Sequence, residues 1–158
     1  MSIERFREAQ NSAAGFDVAL EELRTGAKRS HWIWYVFPQL QGLGGSPESR
    51  YFAIHDAAEA EAYLRDGELR SRYLQIASTV AEQLGRPDAP ALRTLMGSAI
   101  DAAKLVSSLT LFRHTARSLH ARDKLEDYAA IARVADEVLT RVSADCPPCA
   151  FTLGRLAG

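Results

Sequence analysis

With 158 residues, 47% of them hydrophobic and 25% charged, the chain is long enough to bury a real core as one domain, and its balance excludes a disordered or membrane-embedded polypeptide. Nineteen basic residues against twenty acidic ones leave a net charge of −1, which argues against the broad basic face of a general nucleic-acid binder. No apolar run approaches the ~20 residues that span a bilayer, and Met1–Phe6 lacks the apolar stretch of a signal peptide, so no membrane association is expected and the cytoplasm is the expected compartment.

Taken in chain order, residues 3–10 predict a short helical turn around Phe6. Phe16, Leu20 and Leu23 fall at i, i+4 and i+7, the stripe of an amphipathic helix that Gly26 would end in a left-handed conformation. Trp32–Phe37 is rich in β-favouring side chains. No second strand pattern exists to pair its backbone, so the run is read as a short buried helix capped by Ser30. Gln41–Gly45 is a glycine-rich loop. Ser46 with Pro47 reads as an N-cap and first helical residue. Asp56 to Glu59 has the spacing of a capping box, opening a helix that closes near Gly67. Leu69, Tyr73, Ile76, Val80 and Leu84 make a clear apolar stripe, broken by Gly85–Pro90. Leu105, Leu109, Phe112, Ala116 and Leu119 make another, and Tyr128, Ile131, Ala135, Val138 and Val142 a third. The expectation is an all-α fold, a single domain over residues 1–158, built as an irregular, orthogonal array of about five to seven helices.

The chemistry-bearing residues fall in two segments. Lys28, Arg29 and His31 stand directly before Trp32 and Trp34, followed by Gln39. Cations beside aromatic faces can hold an anionic or flat ligand, and a helix start at Ser30 would add its free N–H groups. Equally, the aromatics could be core and the cations a solvated helix end. Arg50, one turn into the helix starting at Pro47, could grip an anion in a two-pronged contact. As a surface arginine it would instead pair with Glu48 or Asp56. In the second segment Ser98 is a plausible cap, Asp101 a first-turn acid, and Lys104 lies on the same helix side. Ser108, one turn beyond Lys104, either lines a pocket or bonds back to a helix carbonyl.

Cys146-Pro147-Pro148-Cys149 has redox or zinc-site spacing, but it follows a helix pattern and has no second cysteine pair, so a Pro-Pro turn with two incidental cysteines is preferred. The Gly42–Gly45 loop lacks a phosphate-loop ending, and no Ser-His-Asp order or His-Glu-x-x-His motif occurs. No metal or cofactor is implied.

Lys28-Arg29-Ser30-His31-Trp32-Ile33-Trp34-Tyr35-Val36-Phe37-Pro38-Gln39-Leu40, with Gly42-Leu43-Gly44 and Ser46, resembles the hallmark block of the bacterial domain-of-unknown-function family 1810. Gly97-Ser98, Asp101, Lys104 and Ser107–Phe112 resemble its second block, and Glu4–Gln10 its N-terminal start. The resemblance covers essentially the whole chain. It implies a small, mostly helical, single-domain protein of cytoplasmic bacterial type and brings no activity with it. Two departures stand out: Cys146–Phe151 precedes Thr152-Leu153 where the family tends to carry Asp-Pro, and Ile100 and Ala103 stand where more polar residues are usual.

The leading expectation is a small-molecule site for an anionic, nucleotide- or ADP-ribose-like ligand. Trp32 or Trp34 would stack, Lys28, Arg29, Arg50 or Lys104 would meet the charge with Gln39 and Ser108 alongside, and His31, Asp101 and Lys104 are the candidate catalytic groups. The alternative is a non-catalytic interaction or homodimerisation module, in which the aromatic block is core or interface.

Overall fold

The apolar stripes resolve into helices wherever the sequence carries them. The computed structural model describes residues 2–157, and in it α1 is Glu4–Gln10, α2 Phe16–Arg24, α3 Ile33–Val36, α4 Pro47–Tyr51, α5 Ala57–Arg65, α6 Gly67–Leu84, α7 Leu92–Leu95, α8 Ala99–Asp123, α9 Glu126–Val142 and α10 Ala150–Ala157. The fold is all-α. The ten helices among the described residues exceed the expected five to seven; α7, a single turn, and α10, eight residues after the Pro-Pro turn, are the two that the sequence pattern does not predict, being too short for a periodicity to register. Among the described residues no strand forms. One isolated parallel bridge joins Leu40 to Ile54, with Gln41 N–H on the Ile54 carbonyl and Ile54 N–H on the Gln39 carbonyl, both at 2.8 Å.

Helix starts follow side-chain chemistry. Ser46 accepts the Ser49 N–H, Asp56 the Glu59 N–H, Asp66 the Leu69 N–H and Ser98 the Asp101 N–H, each at 2.9–3.1 Å. Gly67 therefore opens α6 instead of only closing α5. Ser30 is not the cap expected of it. Trp32 occupies that position in α3 with no side-chain cap, and the Ser30 hydroxyl and N–H both donate to Glu22 instead.

The core is organised around α8. It is buried on nearly every side through its middle, from Leu105 to Phe112, as a central helix must be. It packs against α3, α5, α7, α9 and α10, while α6 lies against α2, α5 and α9. Lys124, left-handed at φ 59, and Leu125 are all that separates α8 from α9, so these two helices run as an antiparallel hairpin. Tyr63, Tyr73 and Phe112 meet edge-on or tilted with ring centroids 4.7–6.2 Å apart, and Phe37 from the tryptophan block joins them through Tyr73. No helix among the described residues is long and apolar enough to cross a membrane.

Candidate functional site

The two sequence segments do meet. Lys28 is drawn in by its backbone, whose N–H donates to the Leu95 carbonyl at 2.8 Å. Gly97, left-handed at φ +85, lets the chain pass so close that a Cβ there would lie 2.9 Å from the Lys28 carbonyl oxygen. The result places Lys28 Nζ 2.8 Å from Asp101 Oδ2 and Lys104 Nζ 3.9 Å from Asp101 Oδ1. Lys28 also lies over the Trp32 ring at 4.9 Å, and Lys104 over the Trp34 ring at 5.2 Å. One acid is thus shared by two lysines, each backed by a tryptophan.

This junction is packed, and it disposes of several candidate ligand contacts. Trp32 is fully buried and Lys28 nearly so, leaving Trp32 no face to stack on. Its Nε1–H donates to Glu22 at 2.9 Å. Ser108 is fully buried and shares a 2.9 Å hydrogen bond with the Tyr73 hydroxyl, so it lines no pocket with Lys104. Arg29 is exposed, with its backbone N–H on Glu22, and His31 is exposed with no hydrogen bond or ion pair joining its imidazole to Asp101 or Lys104 among the described residues. Arg50 donates to the Gly45 carbonyl at 2.6 Å instead of pairing with Glu48 or Asp56. Trp34 and Gln39 remain half-open, beside a hollow of about 10 Å3, room for one water. The Trp34 Nε1–H is buried and meets no acceptor among the described residues.

Glu22 was invisible in the sequence, yet it organises the start of the aromatic block. Its carboxylate accepts the N–H groups of Arg29 and Ser30, the Ser30 hydroxyl and the Trp32 indole. Burial alone would raise its pKa, but these four donors outweigh it and pull the group down to about 2. The one available signal was an acid in the last turn of a helix, where the dipole disfavours it.

A ligand-sized concavity lies elsewhere, on the other side of Leu40. It has a volume of about 520 Å3 and is walled by Leu40–Gly42, by His55–Ala57 at the start of α5, by His114 from α8 and by Arg155 and Leu156 from α10. The Leu40–Ile54 bridge sets His55 at its edge. Gly42, at φ +104, allows the Phe151 ring to settle on the loop, since a Cβ would lie 2.9 Å from that ring. Arg155 in turn lies over the Phe151 ring at 4.8 Å, at the wall of the cleft. Behind His55, Glu59 is buried and paired with Arg5. None of Arg5, His55, Glu59, His114 or Arg155 was a sequence candidate, because they come from separate elements and only His55 and Glu59, four residues apart, share a spacing.

Cys146 and Cys149 are free, half-buried thiols ahead of α10. Burial raises Cys146. At Cys149 burial acts the same way, but donors from Thr152, Ser107 and the Phe151 backbone lower it on balance.

The model of the family described as "Protein of unknown function (DUF1810)" matches residues 1–138. No curated protein matches the chain. A similar solved structure is that of the conserved hypothetical protein Rv1873 from Mycobacterium tuberculosis, 34% identical, with a TM-score of 0.65 over 90% of this chain and 94% of that one. The meeting of Lys28, Trp32 and Trp34 with Asp101 and Lys104 falls inside the matched residues, and the chain belongs to the DUF1810 family of proteins of unknown function.

Proposed function

We propose that this protein binds an anionic, nucleotide- or ADP-ribose-like small molecule, and that it does so in the cleft lined by His55, His114 and Arg155. The observation that carries this reading is the convergence of one arginine and two imidazoles from three elements on a hollow of about 520 Å3, within the range of small-molecule sites. Arg155 supplies a planar fork for a phosphate or carboxylate, already stacked on Phe151 and so losing little freedom on binding. Asp56 also lines the cleft, but its Oδ1 accepts the Glu59 N–H at the start of α5, where the helix offsets its charge. The Lys28–Asp101–Lys104 junction then serves as the brace that ties α8 to the aromatic block. A bacterial cytoplasmic protein, as the sequence leads one to expect, would meet phosphorylated ligands freely. The homodimer alternative draws less support, since Tyr51, Ile100, Leu125 and Leu153, the large exposed apolar side chains, stand on separate elements.

Thermal denaturation with NAD, ADP-ribose, AMP and inorganic pyrophosphate tests this. A ligand at 100 times its Kd should stabilise the fold by about 2.7 kcal/mol, a rise of roughly 5–10 °C for a chain of this size. Arg155→Ala should abolish that rise while leaving the ligand-free transition nearly unmoved, Arg155 being exposed. A flat response to the whole panel refutes the reading.

A further inference from the structure

Simple anion binding leaves unexplained the buried ion pair behind His55. Arg5 is 5% exposed and commits all five guanidinium donors inside the fold. Three go to the backbone carbonyls of Ser2, Tyr51 and Ala53 at 2.6–2.8 Å, and two to the Glu59 oxygens at 3.0 and 3.1 Å. A carboxylate clamped on both oxygens stays ionised and cannot rotate. Burial pushes Glu59 up, but the Arg5 bonds and the His55 N–H win and hold it below the usual carboxylate range.

Oε1 of Glu59 accepts the His55 backbone N–H at 2.9 Å and lies 3.4 Å from His55 Nδ1. The imidazole is 35% exposed and lines the cleft. Capping α5 does not require this carboxylate, since Asp56 already does so. The pairing is a buried acid set against one ring nitrogen of a histidine whose ring borders a ligand-sized hollow.

We propose that His55 is the proton-transfer group of the cleft, with Glu59 and Arg5 as positioning residues that keep its Nδ1–H inward and leave Nε2 for the ligand. This rests on the reading of the cleft as an anion site. A carboxylate facing one ring nitrogen favours the proton there, so Glu59, at ion-pair distance from Nδ1 and not yet in an aligned hydrogen bond with it, would leave neutral His55 an acceptor at Nε2. Nε2 takes a proton from a ligand hydroxyl or a bound water. The imidazolium keeps its Nδ1–H toward Glu59, and Nε2 later returns the same proton to a leaving or product oxygen. Only N–H and O–H bonds change at His55. The ligand class this fits is a phosphate-bearing compound with a hydroxyl or a hydrolysable bond beside the phosphate, the anion resting on Arg155 and His114.

The tautomer is directly readable by nitrogen NMR of the imidazole side chains in the full chain at pH 8, with His55→Gln used only to assign the His55 signals. The Nδ1–H form should dominate in the wild-type protein, and Glu59→Ala, provided it stays folded, should return His55 to the Nε2–H form that imidazole prefers in water. A dominant Nε2–H form in the wild type overturns the proposal without recourse to any variant. Titration with inorganic pyrophosphate then separates the two claims. Binding that shifts the His55 Nε2 resonance supports both. Binding that leaves it unmoved overturns the proton-transfer role alone, and absence of binding, with no ligand of the thermal panel bound either, removes the anion site and the proposal with it.

Discussion

Trp32 and Trp34 stand two positions apart, yet their indole N–H groups meet opposite fates. Trp32 donates to the ionised Glu22, while Trp34 Nε1 is buried without an acceptor among the described residues. A hydrogen bond to a charged group contributes about 1.5–3 kcal/mol, and an orphaned donor contributes nothing beyond its desolvation cost. Trp32→Phe should therefore destabilise the fold by roughly 2 kcal/mol more than Trp34→Phe, measured by urea unfolding. Equal losses would mean that the Glu22 contact is idle. Glu22 also predicts a pH dependence. Its folded pKa of about 2 lies below the ordinary 4.5, so its contribution is fully present above pH 4.5 and is lost as pH falls through 2. With allowance for partial exposure to water, that contribution is on the order of 2 kcal/mol. Glu22→Gln should flatten the loss of stability across that window, as followed by acid titration of the unfolding midpoint. The tryptophans were visible in the sequence as an anomaly. Glu22 was not, because its partners lie seven to ten residues away, across a turn rather than along a helix face.

Among the helices, the apolar period carried most of the information. Phe16, Leu20 and Leu23 are buried on α2, and the stripes of α6, α8 and α9 face the core as their spacing demands. The caps at Ser46, Asp56 and Ser98 were equally legible, since a short acceptor just ahead of an apolar run is a local signal. The misreading at Ser30 has the opposite origin. A serine there is an equally good local cap, but a carboxylate from the preceding helix takes both its N–H and its hydroxyl proton, and α3 begins two residues further on with Trp32 at the cap position. Gly97 shows how a single residue joins elements. Any side chain would face both its left-handed φ and the Lys28 carbonyl, so Gly97→Ala should cost at least about 2 kcal/mol by urea unfolding. Ser98→Ala, which removes only the cap beside it, should cost about 1 kcal/mol. If the two variants are equally mild, the close approach to Lys28 is not needed to join the blocks.

At the level of the whole molecule, the all-α class and the single domain follow from periodicities that the chain repeats from end to end. The junction of Lys28 with Asp101 and Lys104 was half legible: both segments carried charged groups among apolar ones, and both were singled out. What they build was not legible. Sequence can show that an aromatic block has cations beside it, but whether the two enclose a hollow or fill it depends on how closely the backbones approach, which here is set by Gly97 and by the Lys28–Leu95 hydrogen bond. The cleft is the reverse case. His55, His114 and Arg155 carry no common motif, and α10, which contributes Arg155, lies beyond the residues that the family model matches. By itself the sequence determined the all-α class, the longer helices and the faces they bury, because these depend on contacts a few residues apart, and its two motif blocks pointed to the family; the short α7 and α10 were not legible. Only the tertiary structure decided that Trp32 is core, that Glu22 is its anchor and that a ligand-sized cleft lies beside His55. Those outcomes depend on side chains brought together from distant elements, and no local spacing encodes them.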